Sequence, residues 1–222
     1  EFSGFIHQLI GIKEKRDHPK ENENLVIQPL SMNYLFISHP IYVNKYKGVC
    51  GVTGTIGTQK DKDLLSKFYK LTTSEIPRHQ MNLRNDLPMI LCRNIDERNK
   101  RICTEVKNLH NNQYPVLVVF NNYTEIDTIE KMLINDYGIK SDILIFDGRS
   151  EEDDESVKHK LEDQSGRPGA ITLGTNFCGR GVSIEYVDKP LFVIVSYYNE
   201  DKRSINQVLG RAGRNGNPGM TR

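Results

Sequence analysis

The segment Gln207-Val-Leu-Gly-Arg-Ala-Gly-Arg-Asn-Gly-Asn-Pro-Gly219 carries the densest chemical signal in the chain. Extended as a helix from Ser204, it places Gln207, Arg211 and Arg214 at i, i+4 and i+7 on one face, with Val208, Leu209 and Ala212 turned elsewhere for burial. Gly210 and Gly213 would each cost such a helix about 1 kcal/mol relative to alanine. Their presence therefore points to close approach of another backbone or of a ligand. Two guanidinium groups a turn apart can straddle a triphosphate; the bland alternative is a basic, glycine-rich surface tail that binds nucleic acid loosely. A second candidate is Thr175-Asn-Phe-Cys-Gly-Arg-Gly-Val-Ser-Ile184. Gly179 and Gly181 let the backbone approach a ligand, and Arg180 can reach a phosphate or a facing carboxylate. An ordinary glycine turn with a solvated arginine has the same sequence. The third is Gly51-Val-Thr-Gly-Thr-Ile-Gly57, where Thr53 and Thr55 offer hydroxyls suited to relaying a phosphate signal or simply ending a strand. It is not a Walker A loop, because no lysine occupies the required place.

The elements that must position these residues become regular after about residue 72. A helix carries Ile102, Val106 and Leu109 on one face, with Asp96 as its predicted cap. Pro115–Phe120 is a continuous apolar run, suited to a strand covered on both faces in a parallel sheet. Thr124-Glu-Ile-Asp127 resembles a capping box opening a helix with Ile126, Ile129 and Leu133 that ends near Gly138. Asp142–Phe146, Ala170–Gly174 and Leu191–Ser196 are further predicted strands. This alternation predicts right-handed parallel crossovers, a doubly wound α/β domain from about residue 76, with ligands outside the carboxyl ends of its strands. Before it, the pattern predicts a short helix, a strand near Leu25–Gln28, a helical or irregular stretch over 31–47, a strand at Cys50–Thr55 and a helix over Asp61–Tyr69. The acidic run Glu151–Glu155 reads as a solvated loop or first helical turn.

Composition narrows the classes. The chain has 222 residues, 37% hydrophobic and 27% charged, with a net charge of +1. That is enough apolar content for a core in one or two domains, and it gives no global argument for nucleic acid or an anionic membrane. No apolar run approaches the roughly 20 residues that span a bilayer. Cys50, Cys92, Cys103 and Cys178 form no C-x-x-C pair and no metal-ligand spacing, so no metal site is expected. They read as reduced thiols of an intracellular protein. The chain begins Glu1-Phe2 and stops at Thr221-Arg222, which reads as an excerpt of a longer protein.

Together, in this order, the three motifs resemble the SecA branch of the helicase-like ATPases. That family's G-M-T-G-T, A-T-N-M-A-G-R-G-T-D-I and Q-L-R-G-R-S-G-R-Q-G-D-P-G stand here as Gly51–Thr55, Leu173–Ile184 and Gln207–Gly219. Smaller matches run through Ile6–Glu14, Asn33-Tyr34, Arg84-Asn-Asp86 and Gly166–Thr172, so the resemblance spans nearly the whole chain.

The resemblance implies a RecA-like parallel sheet flanked by helices over 76–222, preceded over 1–75 by the C-terminal part of a first RecA-like domain. It implies ATP and Mg²⁺ in the cleft between the two, held mainly by residues outside this chain, since no G-x-x-x-x-G-K-[ST] and no apolar strand ending in D-E-x-D occurs here. By that match Arg211 and Arg214 are the transition-state stabilisers. Gly179, Arg180 and Gly181 line the cleft, Thr53 and Thr55 sense the nucleotide, and Gln207 helps hold the interface. The implied partners are the first domain, a polypeptide substrate and a membrane translocase met from an aqueous compartment; near-neutral charge disfavours nucleic acid. One departure is Ser183, where the family has aspartate, which predicts a weaker nucleotide grip. A nucleic-acid motor of the same fold and a degenerate nucleotide-binding module are the competing readings.

Overall fold

The computed structural model describes residues 6–27, 36–140, 143–147, 149, 154–175, 184–186, 188–198 and 201–222. The chain divides into two compact units, Glu1–Val49 and Cys50–Arg222. The first holds helix α1 (Ile6–Asp17) and helix α2 (His39–Val43). Asn22 closes the chain behind α1, its side-chain amide donating to the carbonyls of Glu14 and His18, both at 3.3 Å.

The second unit is a doubly wound α/β layer structure. After helix α3 (Gln59–Tyr69) come β1 (Arg84–Asp86), α4 (Ile95–Asn111), β2 (Val116–Phe120), α5 (Tyr123–Asn135), β3 (Ile143–Phe146), α6 (Asp154–Gln164), β4 (Ile171–Thr175), β5 (Leu191–Val195), α7 (Lys202–Leu209) and β6 (Gly219–Thr221). The sheet order is β1-β6-β5-β2-β4-β3, and every pairing is parallel. The run Val-Leu-Val-Val-Phe of β2 is buried throughout, and period-two alternation splits it between two cores. Val116, Val118 and Phe120 pack with Ile102, Cys103 and Val106 of α4 and Ile126, Ile129 and Leu133 of α5. Leu117 and Val119 face the other way, onto Leu161 of α6 and Val208 of α7. That is why the strand reads as an unbroken apolar run rather than an alternating one.

The helix starts sit two residues earlier than the sequence reading placed them. Asn94, not Asp96, caps α4, accepting from the Glu97 amide at 2.8 Å. Asn122, not Thr124, caps α5, accepting from the Glu125 amide at 3.1 Å. Both are Asn-x-x-Glu, and a cap side chain reaches the amide three residues on. The strands expected at Leu25–Gln28 and Cys50–Thr55 are not formed over the described positions. A strand needs a neighbouring ladder to satisfy its backbone, and none lies beside them among the described residues. Conversely β1 and β6 went unpredicted: Arg-Asn-Asp and Gly-Met-Thr have no strand pattern and owe their conformation to pairing with each other and with β5. Most of the acidic run 151–155 lies outside the described residues.

Cys50, Cys92 and Cys103 are free thiols. Cys103 is a core side chain, its thiol pushed up to about 12 by burial and, secondarily, by Asp136, so it is chemically quiet. Among the described residues no helix is long and apolar enough to cross a membrane, and no His/Cys/Asp/Glu group could hold a metal ion.

Thr172 tests how these cores tolerate a polar atom. It is fully buried in β4, and its Oγ1 finds no hydrogen-bond partner among the described residues. A buried unsatisfied hydroxyl costs about 1–3 kcal/mol, so Thr172→Val is expected to raise unfolding stability by about 1 kcal/mol. Urea denaturation checks this, and a loss of stability would mean the hydroxyl is satisfied.

Candidate functional site

The arginine segment folds differently from the single helix that its sequence predicts. Asp201 caps α7, its carboxylate accepting from the amides of Arg203 (3.0 Å) and Ser204 (3.3 Å). The hydroxyl of Ser204 adds a bond at 2.5 Å, and these contacts, led by the Ser204 hydroxyl, hold the Asp201 carboxyl below its usual value. The helix stops at Leu209 with Gly210 as its C-cap. Only Gln207 is therefore helical; Arg211 and Arg214 ride on the turn that follows. Gly213 at φ +70°, Asn215 at +53° and Gly216 at +74° are left-handed, a conformation that cannot continue a right-handed helix.

The turn is tightly packed against the sheet. A Cβ on Gly213 would stand 2.7 Å from Arg84 Cβ and 3.2 Å from the Arg84 backbone, and one on Gly219 would collide with the Gly213 amide. The close approach inferred from the glycines holds at Gly213, which meets Arg84, and not at Gly210, where an added Cβ would meet only the carbonyls of its own helix. Arg84 in turn pairs with Asp86 at 2.6 Å, and Asp86 accepts from Thr221 Oγ1 at 2.5 Å, so β1, β6 and the turn form one clasp. Arg84, foremost, with Thr221 depresses the Asp86 carboxyl.

Within the turn, Arg211 is 3% exposed. Arg214 is half-buried, and its Nε donates to the Gly210 carbonyl at 3.0 Å, which fixes the plane of the guanidinium. Tyr186 spans the loop from below: its hydroxyl donates to the Pro218 carbonyl at 2.6 Å and accepts from the Gly213 amide at 3.2 Å. Burial raises its phenol above the ordinary value, with the Gly213 amide acting in the opposite sense. The sequence reading missed Tyr186, since a lone aromatic between two predicted strands carries no signal of its own.

Gln207 meets a second candidate motif. Its Nε2 donates to Thr55 Oγ1 at 3.3 Å, across 152 positions of sequence. Thr53 folds back on the same turn, its Oγ1 donating to the Thr55 carbonyl (3.0 Å) and accepting from the Thr55 amide (3.3 Å). The structure thus joins Thr53 and Thr55 in one hydrogen-bonded group with Gln207, which lies on the helix that feeds the arginine turn. Gly179, Arg180, Gly181 and Ser183 lie outside the described residues.

The arginine turn occupies the amino-terminal edge of the sheet, not the carboxyl edge where ligands of open α/β sheets usually sit. Gly213 packs on Arg84 and the loop runs directly into Gly219, the paired first residues of β1 and β6. The reason is that α7 returns antiparallel from the end of β5. At the carboxyl edge Arg98 is engaged by Glu125 at 2.8 Å, and Arg149 by Asp127 at 2.7 Å and Asp147 at 2.5 Å, over the Tyr123 ring. The Arg149 hydrogen bonds hold the Asp127 carboxyl below its usual value.

An all-parallel sheet of this order, with helices on both faces, defines a RecA-like fold of the helicase type. In a solved structure of S. cerevisiae Dbp5 bound to RNA and ADP BeF3, the matching region has a TM-score of 0.53 at 15% identity, covering 74% of this chain and 41% of that one. The family described as SecA P-loop domain matches residues 81–192, half of the chain, and the chain belongs to the SecA family. Protein translocase subunit SecA of Campylobacter curvus is 30% identical over 226 residues, covering 100% of this chain and 24% of the relative. That of Thermosipho melanesiensis is 28% identical over 223 residues, covering 98% and 24%. The chain therefore spans about a quarter of the length of these curated relatives.

Proposed function

We propose that this chain is part of a SecA-type motor that moves polypeptide at the expense of ATP, and that it presents arginines to a nucleotide held by a first RecA-like domain. Residues 76–222 are the second RecA-like domain in this reading and residues 1–75 the tail of the first. Arg214 is the finger and Arg211 a buried charge behind it. By the family resemblance Gly179, Arg180 and Gly181 would also serve the nucleotide. The phosphate loop and the carboxylates that hold Mg²⁺ belong to the rest of the protein. Such a site works by positioning and charge: a planar guanidinium at the transferring phosphoryl group stabilises the charge that builds there. A partner translocase at a membrane follows from the same reading.

The observation that carries the proposal is the Gln207–Thr55 hydrogen bond. It links the wall that would sense the nucleotide to the helix that feeds the arginines. Losing one such bond is worth about 1 kcal/mol, or about fivefold in rate. In the full-length protein, Thr55→Val and Gln207→Ala are each expected to lower ATP turnover about fivefold, and the double variant no further than the worse single one. Multiplying losses would break the link. Stimulation of turnover by unfolded polypeptide is expected; stimulation by RNA instead would favour the nucleic-acid motor.

A further inference from the structure

The loop that carries Arg214 is closed by a side chain outside the motif. Gly213 and Pro218 flank the left-handed residues Asn215 and Gly216, and a loop of this conformation has few internal bonds: the Asn217 amide donates to the Arg214 carbonyl at 2.9 Å. Tyr186 bridges the two ends with one hydroxyl, donating to one and accepting from the other. Its ring packs against the cluster that contains Ile184, Val208 and Ala212. The bridge is therefore anchored in the same core as the helix that precedes the turn. An aromatic side chain with two rotatable torsions makes a stiff strut.

We propose that Tyr186 is a positioning residue for Arg214, its hydroxyl stapling the Gly213–Pro218 loop so that the guanidinium keeps one direction toward the nucleotide. This rests on the arginine role proposed above. The side chain touches no reacting atom; it acts by restricting the loop, and misplacement of a catalytic group by about 1 Å can cost on the order of 10²-fold in rate. Tyr186→Phe keeps the packed ring and removes only the two hydrogen bonds.

The test uses the full-length protein with three readouts: hydrogen exchange of the 210–220 segment, steady-state ATP hydrolysis, and melting temperature. Tyr186→Phe is expected to speed exchange at the Gly213 amide. It should lower kcat about tenfold with KM for ATP within about twofold, a loss confined to turnover, and lower the melting temperature by no more than a few degrees. In an Arg214→Ala background the same change should cost less than about twofold more, because the staple acts through that arginine. Unchanged exchange overturns the staple. A normal kcat in Tyr186→Phe, beside a lost one in Arg214→Ala, overturns the positioning role alone. An equal tenfold loss in both backgrounds assigns Tyr186 a general structural role and also overturns it. Turnover untouched by Arg214→Ala itself overturns the arginine reading, and the positioning role with it, which the exchange data alone would not do.

Discussion

Arg214→Ala is expected to lower ATP turnover by the full-length protein about 10³-fold or more, with KM for ATP moved only a few-fold. The size follows from the 10³–10⁵ range for a guanidinium that meets the transferring phosphoryl group. The split between kcat and KM follows because such a contact strengthens as charge builds in the transition state. Of the two arginines, Arg214 is the one proposed for this role. Arg214 is half-buried, with Nε fixed on the Gly210 carbonyl, so it can meet a ligand across a cleft while its plane stays set. Arg211 is 3% exposed, and truncating it would leave a hole under the turn as well as removing charge. Arg211→Ala should therefore lower stability together with turnover, whereas Arg214→Ala should lower turnover alone. Arg214→Lys keeps the charge but not the planar fork and should recover little. Single-turnover hydrolysis with a parallel thermal melt checks all three, and full activity in Arg214→Ala would remove the finger from this chain.

What the sequence revealed and what it hid divide along physical lines. The central strands and α5 were legible because each contains its own signal: Val116–Phe120 is apolar on both faces, and Ile126, Ile129 and Leu133 recur at helical spacing. The helix starts were misplaced by two residues because Asn94 and Asn122 compete with nearby Asp96 and Thr124, and any of these side chains can cap. β1 and β6 were not legible, since three-residue strands depend on partners far away in sequence. The site followed the same rule. Gly213 was legible as a point of close approach, which Arg84 makes, whereas Gly210 meets only its own helix. The spacing argument nevertheless failed beyond Leu209, because the Arg211 and Ala212 amides bond three residues back rather than four, and Gly213 then turns left-handed. Nothing in the local sequence around Tyr186 or Arg84 says that they meet the turn. Those contacts come from the parallel register that sets Arg84 beside Gly219 and from the return of α7 across the sheet.

Gly213→Ala is expected to destabilise the fold by about 2–5 kcal/mol. Two costs combine. Holding alanine at the left-handed φ of +70° costs roughly 1–2 kcal/mol. The new Cβ would also stand 2.7 Å from Arg84 Cβ and 3.2 Å from its backbone, and overpacking of this kind costs about 1–3 kcal/mol. Arg84 cannot easily withdraw, because its strand is hydrogen-bonded to β6 and its side chain is paired with Asp86. If the turn moves instead, it breaks the Gly213 amide bond to Tyr186 and turns Arg214 away, so turnover should fall beyond what lost stability explains. Asn215 supplies the control: it is also left-handed, at φ +53°, but exposed, and Asn215→Gly should shift stability by less than about 1 kcal/mol. Urea denaturation of the two variants separates backbone strain from packing. If Gly213→Ala cost no more than Asn215→Gly, the turn would not be clamped against β1, and the fixed direction of Arg214 would lose its structural cause.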